Sequence, residues 1–470
     1  MSTLDRPEGL TRRTAIGAAL GTAAIAMTAP GFAKTPGRKP NILFIMADDM
    51  GYADLSCYGR QDYETPVLDA LARQGMRLTH AYANSAVCTA SRVALITGQY
   101  QYRLPIGLQE PLGQQDVGLP PEVPTIASLL RAQGYATSLI GKWHLGALPK
   151  YDPLKSGYDE FWGLRGGGVD YYTHGFAGNL DLWDGDAKIE DAGYLTDLLA
   201  DRAMLTLDRR KKDGKPFFMS LHFTAPHWPW EGPNEAGKAE SARLAASPSP
   251  TALMHHDGGD METYANIVRS LDANVGKVLA KLAALGMDKD TIVVFTSDNG
   301  GERFSNTWPF TGKKTELLEG GLRIPAIIRW PGVTKPGSTS DVPVMTMDWL
   351  PTFLQAAGAT PATSDGIDVS PILAGQTHAD RTLYWRFKNH DQKAVRRGRM
   401  KYLSIAGNEF LFDVVADPLE RANLKQRQPA LFAELKAAFE GWNKNMLNDP
   451  NAPSYGFTSE QLADHFAVDD

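Results

Sequence analysis

Cysteine is almost missing from this chain: its 470 residues include only Cys57 and Cys88. Two thiols cannot build a disulfide framework, and a Cys57–Cys88 bridge is the single pairing open to them. Long apolar runs are scarce as well. Beyond the first 33 residues, no stretch of the sequence is long and apolar enough to cross a bilayer as a helix. Basic charge is not in excess; the formal net charge of -6 argues against nucleic acid as a partner. No repeat or low-complexity tract stands out. What is there is the composition of a globular enzyme, 43% apolar and 22% charged, with 10 Trp and 30 Pro. The length suggests two or three domains.

Residues 1–33 read as an address. Arg12-Arg13 precedes a soft, Ala-rich run from Ala15 to Met27, and Ala29-Pro30-Gly31-Phe32-Ala33 offers a small-residue cleavage point. This is the layout of a twin-arginine export signal, which places the mature chain in the periplasm or outside the cell. A retained N-terminal anchor is the alternative, although the run is short and weakly apolar for a span. No stable membrane insertion is expected once the signal is removed.

Asn41 to Met46 is a continuous apolar run, the pattern of a strand buried on both faces of a parallel sheet, and it stops at Asp48-Asp49. Thr291 to Ser297 repeats the design and ends in Asp298-Asn299. Open α/β sheets hold their ligands beyond the C-terminal ends of such strands. If both strands share a sheet, three carboxylates and an amide oxygen meet there, and a hard cation is the natural compensation: calcium first, magnesium second. Taken singly, each pair is also the composition of an ordinary turn.

Between these strands, helical and strand-like segments alternate. Thr65–Gln74 and Thr125–Gln133 read as helices, Thr137–Ile140 and Pro216–Phe223 as strands. Lys142 and His144 follow one of those strands and alternate on one side of an extended segment, so both can face one pocket. His227 also lies beyond a strand end. Glu235 to Gly259 reads as a surface loop or insertion, Met261 to Leu285 as a long amphipathic helix. Lys314 sits in a compact loop, Thr311 to Pro325, as the basic residue aimed at a substrate. Met347–Phe353 begins another helix, and the main sheet domain closes near Gly375. The remainder alternates in short runs that suggest a small antiparallel sheet, with a final helix from Ala430 to Trp442 packed on it. The expected fold class is α/β: a large mixed, mostly parallel sheet flanked by helices over 34–375, with a smaller C-terminal α+β subdomain over 376–470.

The stretch Asn84 to Gly98 is the one the rest serves. Cys88 stands at the start of a short helix, in the field of unpaired N–H groups that favours an anion. Arg92 lies four residues on and shares its face. Alone, Cys88 also reads as a small buried hydrophobe, as a disulfide partner of Cys57, or as a thiolate nucleophile.

The motifs Asp48-Asp49, Cys88-Thr89-Ala90-Ser91-Arg92, Gly141-Lys142-Trp143-His144, Ala225-Pro226-His227, Ser297-Asp298-Asn299-Gly300 and Gly312-Lys313-Lys314 with Glu319-Gly320-Gly321 follow one another along the chain. From Pro40 to about Asn423 the sequence resembles the formylglycine-dependent sulfatases of the alkaline phosphatase superfamily. Ala90 stands where the commoner signature, Cys-x-Pro-x-Arg, has proline. Asp413-x-x-x-Asp417-Pro418-x-Glu420-x-x-Asn423 resembles the family's closing motif.

The resemblance implies hydrolysis of a sulfate monoester, an aryl or carbohydrate sulfate, through a covalent sulfo-formylglycine intermediate at position 88. A maturation enzyme would first convert Cys88. It further implies a calcium ion held by Asp48, Asp49, Asp298, Asn299 and residue 88. Arg92 and Lys142 would hold the hydrated aldehyde, with His144 as the base for the elimination. Lys142, His227 and Lys314 would bind substrate, and His227 would protonate the leaving oxygen. Asp170, Tyr171, Tyr172, His174, Arg303, Trp228, Trp230 and Trp308 are candidates for the leaving-group pocket, with ordinary packing as the equal alternative. His222 reads as a strand residue, and His255-His256 as part of the loop-like insertion.

Two readings compete. One is a phosphonate monoester or phosphodiester hydrolase on the same scaffold; the other is a non-catalytic, calcium-dependent binder of sulfated glycans. Asn299 occupies the place where two-metal phosphate hydrolases of the superfamily often carry histidine, which favours one metal and sulfate.

Overall fold

The computed structural model describes residues 39–111, 115–249, 251–361, 363–449 and 451–452; the expected export signal lies outside them. Four strands make the frame: β1 (Asn41–Ala47), β2 (Ala136–Lys142), β3 (Phe217–His222) and β4 (Thr291–Ser297), buried along their whole length. Apolar runs of this kind pair their backbone groups only with other strands and are shielded from water on both faces. In space the order is β4, β1, β3, β2 and then Glu160–Leu164, all parallel. Antiparallel strands extend both sides. Ala326–Arg329 pairs with β4, and the hairpin Trp183–Asp184/Ala187–Lys188 lies beyond Glu160–Leu164 in a sheet of ten strands.

Alternation along β1 sorts its side chains between two layers. Leu43 and Ile45 pack with Leu271, Val275 and Val278 of the helix Met261–Ala284, while Ile42 and Phe44 pack with Trp349, Leu350 and Phe353. The register sets Met46 opposite both His222 and Thr296, and His222 opposite Gly141. The four parallel strands therefore end level. Asp48, Lys142, Thr224 and Asp298 leave the sheet at one rim.

The segment read as a loop from Glu235 is instead helical over Glu235–Ala245, capped by Asn234, whose side chain accepts from the Gly237 N–H. Its alanines are strong helix formers, and Asn234 supplies the start signal that the Ser/Pro-rich remainder obscures. Cys57 and Cys88 are both free thiols, so the pairing allowed by the sequence is not made. Cys88 faces the strand ends, whereas Cys57 is half-buried with its N–H on Asp69. No helix among the described residues is long and apolar enough to cross a membrane.

The C-terminal part forms a four-stranded antiparallel sheet, Thr382–Phe387, Gln392–Arg397, Met400–Ile405 and Asn408–Asp413, and the helix Pro429–Asn443 packs against it. A buried ionic cluster ties this sheet to the large one. Lys401 Nζ lies 3.0 Å from both Glu319 and Glu420, and Glu319 also takes Tyr82 Oη at 2.6 Å and Arg323 Nε at 2.8 Å. Burial pushes the Glu319 carboxyl up, but Lys401, Arg323 and Arg396 outweigh it and hold the group below the usual range. Burial drives Glu420 up to about 7, with Lys401 opposing and Glu319 adding to the rise. Removing one member leaves uncompensated buried charge. Lys401→Met is expected to lower unfolding free energy by about 3–5 kcal/mol in urea titrations; a loss below about 1 kcal/mol, the value of an exposed pair, would show that the cluster does not clamp the two sheets.

Candidate active site

The helix α1 (Cys88–Thr97) begins at the rim of the sheet. Its N-cap, Val87, is extended and gives no side-chain cap, so the first-turn N–H groups are left facing the strand ends. Every residue of α1 is buried, and Gly98 closes it in the left-handed conformation with its N–H on Ala94. Cys88 Sγ lies 3.5 Å from Asp48 Oδ1 and 3.7 Å from Asp49 Oδ1. The ligand-capable atoms of Asp48, Asp49, Cys88 and His227 all fall within 4.8 Å of one another.

Three cations from three separate elements meet the carboxylates. Lys142, the last residue of β2, sets Nζ 2.6 Å from Asp48 Oδ2. Arg92 donates to Asp298 Oδ2 at 3.0 Å and lies 3.4 Å from Asp48. Lys314, whose N–H is held by Gly301, places Nζ 2.6 Å from Asp49 Oδ2. Asp298 accepts the Asp49 N–H on its other oxygen at 3.1 Å. Burial raises Asp49, but Lys314, His227 and Lys142 outweigh it and hold the carboxyl below its ordinary value. Asp298 is driven up to about 7 by burial and the Asp48 charge, against Arg92 and Lys142.

The donor set suits a hard cation. Asp48, Asp49 and Asp298 supply oxygen, and Asn299 Oδ1 is buried without a hydrogen-bond partner while its Nδ2 donates to Asp49 at 2.7 Å. An orphaned amide oxygen among carboxylates is a ligand in waiting for a divalent ion.

Burial pushes the Cys88 thiol well above its usual range, with Lys142 and Lys314 opposing. That direction does not favour the thiolate reading. Burial, together with the charges of Lys142 and Arg92, holds His144 well below the ordinary imidazole value. His227 falls to about 3 by burial, Asp49 opposing and Lys314 and Lys142 adding to the fall. Its Nδ1 donates to the Trp228 carbonyl at 2.7 Å, and Nε2 lies 3.5 Å from Asp49.

Local backbone geometry makes these placements possible. A Cβ on Gly141 (φ 110°) would sit 1.8 Å from the His222 carbonyl oxygen, so only glycine lets β2 approach β3 there. His222 itself stays out of the cavity and sets Nδ1 3.2 Å from the Lys142 carbonyl.

Above the carboxylates opens a cavity of about 670 Å³, lined by Cys88, His144, His227 and Lys314, with Asp181, Lys188, Phe176, Trp183, Trp228 and Met254 on its outer walls. Of the residues proposed for a leaving-group pocket, Trp228 lines this cavity. Asp170, Tyr172 and His174 line a neighbouring one. Tyr171 is fully buried with its hydroxyl on the His227 carbonyl, and Trp230 is buried in the core. Arg303 donates to the His255 carbonyl, and Trp308 is 64% exposed. His255 is a buried structural group that accepts the Trp230 N–H.

Sequence reasoning missed Trp183 and Lys188, which arrive on the edge hairpin, and Glu110, which lies 3.3 Å from His144. It also passed over Gly166-Gly167-Gly168, a visible signal. A Cβ on Gly167 would come within 2.4 Å of His144 Nε2, and one on Gly168 within 3.1 Å of His227 Cε1.

A family model described as Sulfatase matches residues 40–359, and one described as N-sulphoglucosamine sulphohydrolase, C-terminal, matches residues 310–444. Fold and site thus define a hydrolase of sulfuric esters, and the chain belongs to the sulfatase family. It is 33% identical to human (Homo sapiens) arylsulfatase A across 87% of this chain and 84% of that protein. Against N-acetylgalactosamine-6-sulfatase of Canis lupus familiaris, identity is 31% across 77% and 71%. Among solved structures, Ps i-CgsB in complex with k-i-k-neocarrahexaose superposes with a TM-score of 0.80 at 29% identity, covering 89% of this chain and 95% of that one. The phosphonate monoester hydrolase of Agrobacterium radiobacter shares the fold, at a TM-score of 0.62 and 20% identity, covering 87% and 96%.

Gly167→Ala tests how closely the two histidines are set. It is expected to keep the thermal midpoint within a few degrees while lowering kcat for an aryl sulfate by about 10- to 100-fold, because displacement of a catalytic group by about 1 Å costs that much. Wild-type turnover in a stably folded variant would show that the glycine run does not position His144.

Proposed function

We propose that this sulfatase cleaves a carbohydrate or aryl sulfate at position 88 after the Cys88 thiol has been oxidised to formylglycine. The observation that carries the reading is the convergence of Cys88, Arg92, Lys142, His144, His227 and Lys314 with three carboxylates on the floor of one cavity. As its hydrate, the aldehyde supplies two hydroxyls on one carbon: one takes the sulfo group, giving a sulfo-formylglycine intermediate, and the other expels it as sulfate. Asp48, Asp49, Asp298, Asn299 and residue 88 would hold a calcium ion, which supplies positive charge that eases deprotonation of a hydroxyl.

The chain's own groups do the rest. Lys142 and Arg92 fix residue 88 from below. Lys314 and His227 reach the sulfate from the cavity side, and several cations around one small anion stabilise charge as it develops. His227, anchored through Nδ1, presents Nε2 to the leaving oxygen, and the ester's negative charge opposes the effect of burial on it. His144 is neutral and takes the proton that the elimination releases. An oligosaccharide sulfate is the natural substrate of this reading. Trp183, Trp228 and Phe176 give flat apolar surface for a sugar ring, and the similar protein Ps i-CgsB has been crystallised with an oligosaccharide.

The reading also assigns catalysis to residues 34–375, with 376–470 as a subdomain. It takes export through the Arg12-Arg13 signal, and conversion of Cys88 by a maturation enzyme, as earlier steps.

Mass spectrometry of the tryptic peptide Leu78–Arg92 from protein made in its own host tests the nucleophile. A peptide lighter by the exchange of thiol for aldehyde oxygen is expected. An unmodified Cys88 in protein that turns over aryl sulfate would sink the proposal. Removing divalent ions with a chelator is expected to abolish turnover, and calcium to restore it better than magnesium. Full activity after chelation would remove the metal from the mechanism.

A further inference from the structure

We propose that Glu110 is the positioning residue of His144, holding its ring in one tautomer and compensating the charge it acquires. The proposal rests on His144 being the base at position 88. Glu110 is buried, and its Oε2 lies 3.3 Å from His144 Nε2. Thr89, next to Cys88, gives its hydroxyl hydrogen to that same oxygen, and Thr89 Oγ1 is also 3.0 Å from the His144 carbonyl. The hydroxyl has one hydrogen, so the Glu110 carboxyl and the His144 carbonyl compete for it, and Thr89 brings both within reach of one donor. His144 holds a left-handed φ of 55°, with its N–H on the Arg165 carbonyl at 3.2 Å, and Gly167 closes the Nε2 edge of the ring.

The other ring nitrogen, Nδ1, is buried and has no hydrogen-bond partner. A carboxylate beside Nε2 favours the tautomer with hydrogen there, and that leaves Nδ1 as a bare acceptor. The charges around the ring make the compensation necessary. Burial first, and then Lys142, Arg92, His227 and Lys314, oppose an imidazolium at position 144. Burial raises the Glu110 carboxyl, with the Thr89 hydrogen bond, Lys142 and Lys314 opposing; ionised, it stands against the same ring with the opposite sign, the relation of a buried carboxylate to the histidine it orients.

In the step served, the unprotonated ring nitrogen of His144 takes the proton of the free hydroxyl on residue 88. The electron pair of that O–H bond closes a C=O bond, and the C–O bond to the sulfo group breaks. Sulfate leaves and the aldehyde is restored. Without Glu110, transfer of the sulfo group to residue 88 persists while its release slows.

Glu110→Gln keeps the side-chain volume and removes the charge. In converted enzyme with an aryl sulfate, kcat is expected to fall by roughly 10- to 100-fold, the scale of losing a partner that orients a functional histidine, with KM falling alongside it and kcat/KM little changed because only the release step slows. Phenol should appear in a stoichiometric burst, and acid-quenched peptide Leu78–Arg92 should be heavier by one sulfo group. His144→Ala should show the same burst and the same adduct. A linear time course with no adduct in Glu110→Gln, or a loss confined to KM, would overturn the assignment. A purely structural role would instead lower the thermal midpoint without accumulating the adduct, which also overturns it. If the wild-type peptide proves unconverted, the underlying reading falls and takes this one with it, and the two failures are told apart by that peptide.

Discussion

Three carboxylates buried at the ends of two adjacent parallel strands are the constraint on which the rest of this molecule turns. Asp48 and Asp49 follow β1 and Asp298 follows β4, and none of them is more than 1% exposed. Charges so placed are unfavourable by several kcal/mol each unless they are met at close range. They are met by Lys142 from β2, Arg92 from α1 and Lys314 from the loop after β4, each brought from a different part of the chain. Forming the site and closing the fold are therefore the same event. Three negative and three positive groups nearly cancel, so an anionic ester entering alone would leave excess negative charge in a desolvated floor. A divalent cation alongside it restores the balance, which the orphaned Asn299 oxygen independently favours.

The frame was legible because burial on both faces leaves an unbroken apolar run, and a buried run that ends in acid is unusual enough to mark a rim. β4 was read with its bounds intact from Thr291 to Ser297, and β1 to within a residue. The candidate site was legible for a related reason: most of its residues lie at or just beyond the end of an element with its own strong pattern. What failed to show were groups delivered by packing without any local period. Glu110 follows a short 3-10 turn, Pro105–Leu108, and is brought to His144 across 33 residues of intervening sequence. Trp183 and Lys188 sit on two-residue strands too short to announce themselves. Trp230 and Trp308 were grouped with Trp228 by type and nearness to motifs, yet one is buried in the core and the other exposed. Aromatic identity says how much surface a side chain can cover, not which side of a wall it faces.

The cavity divides the work between its two ends. Its floor is rigid: buried ion pairs on strand and helix termini, where a shift of any member uncovers a charge. Its outer wall is built from small hairpins at the sheet edge and from the loop carrying Trp228, where Trp183 rests on Arg165 at 3.7 Å and donates from Nε1 to Asp181 at 2.7 Å. Edge hairpins can change length and sequence without disturbing β1 to β4. On the proposed reading, the floor would carry the sulfate chemistry and this wall would meet the leaving group.

The departure of the signature at Ala90 finds its place in the same physics. Ala90 is the third residue of α1, in the turn whose N–H groups have no carbonyl of the helix to meet. Proline is tolerated in that turn because its missing N–H removes nothing the helix uses, so proline and alanine serve the folded backbone alike. In the folded chain, moreover, Cys88 is only 4% exposed, behind two carboxylates and beneath a cavity wall. On the proposed reading, an enzyme that oxidised this thiol would have to meet it before the surrounding strands close. Residue 90 would then act on the extended chain, where proline stiffens the backbone and alanine does not. Within the folded helix the two residues serve the backbone alike.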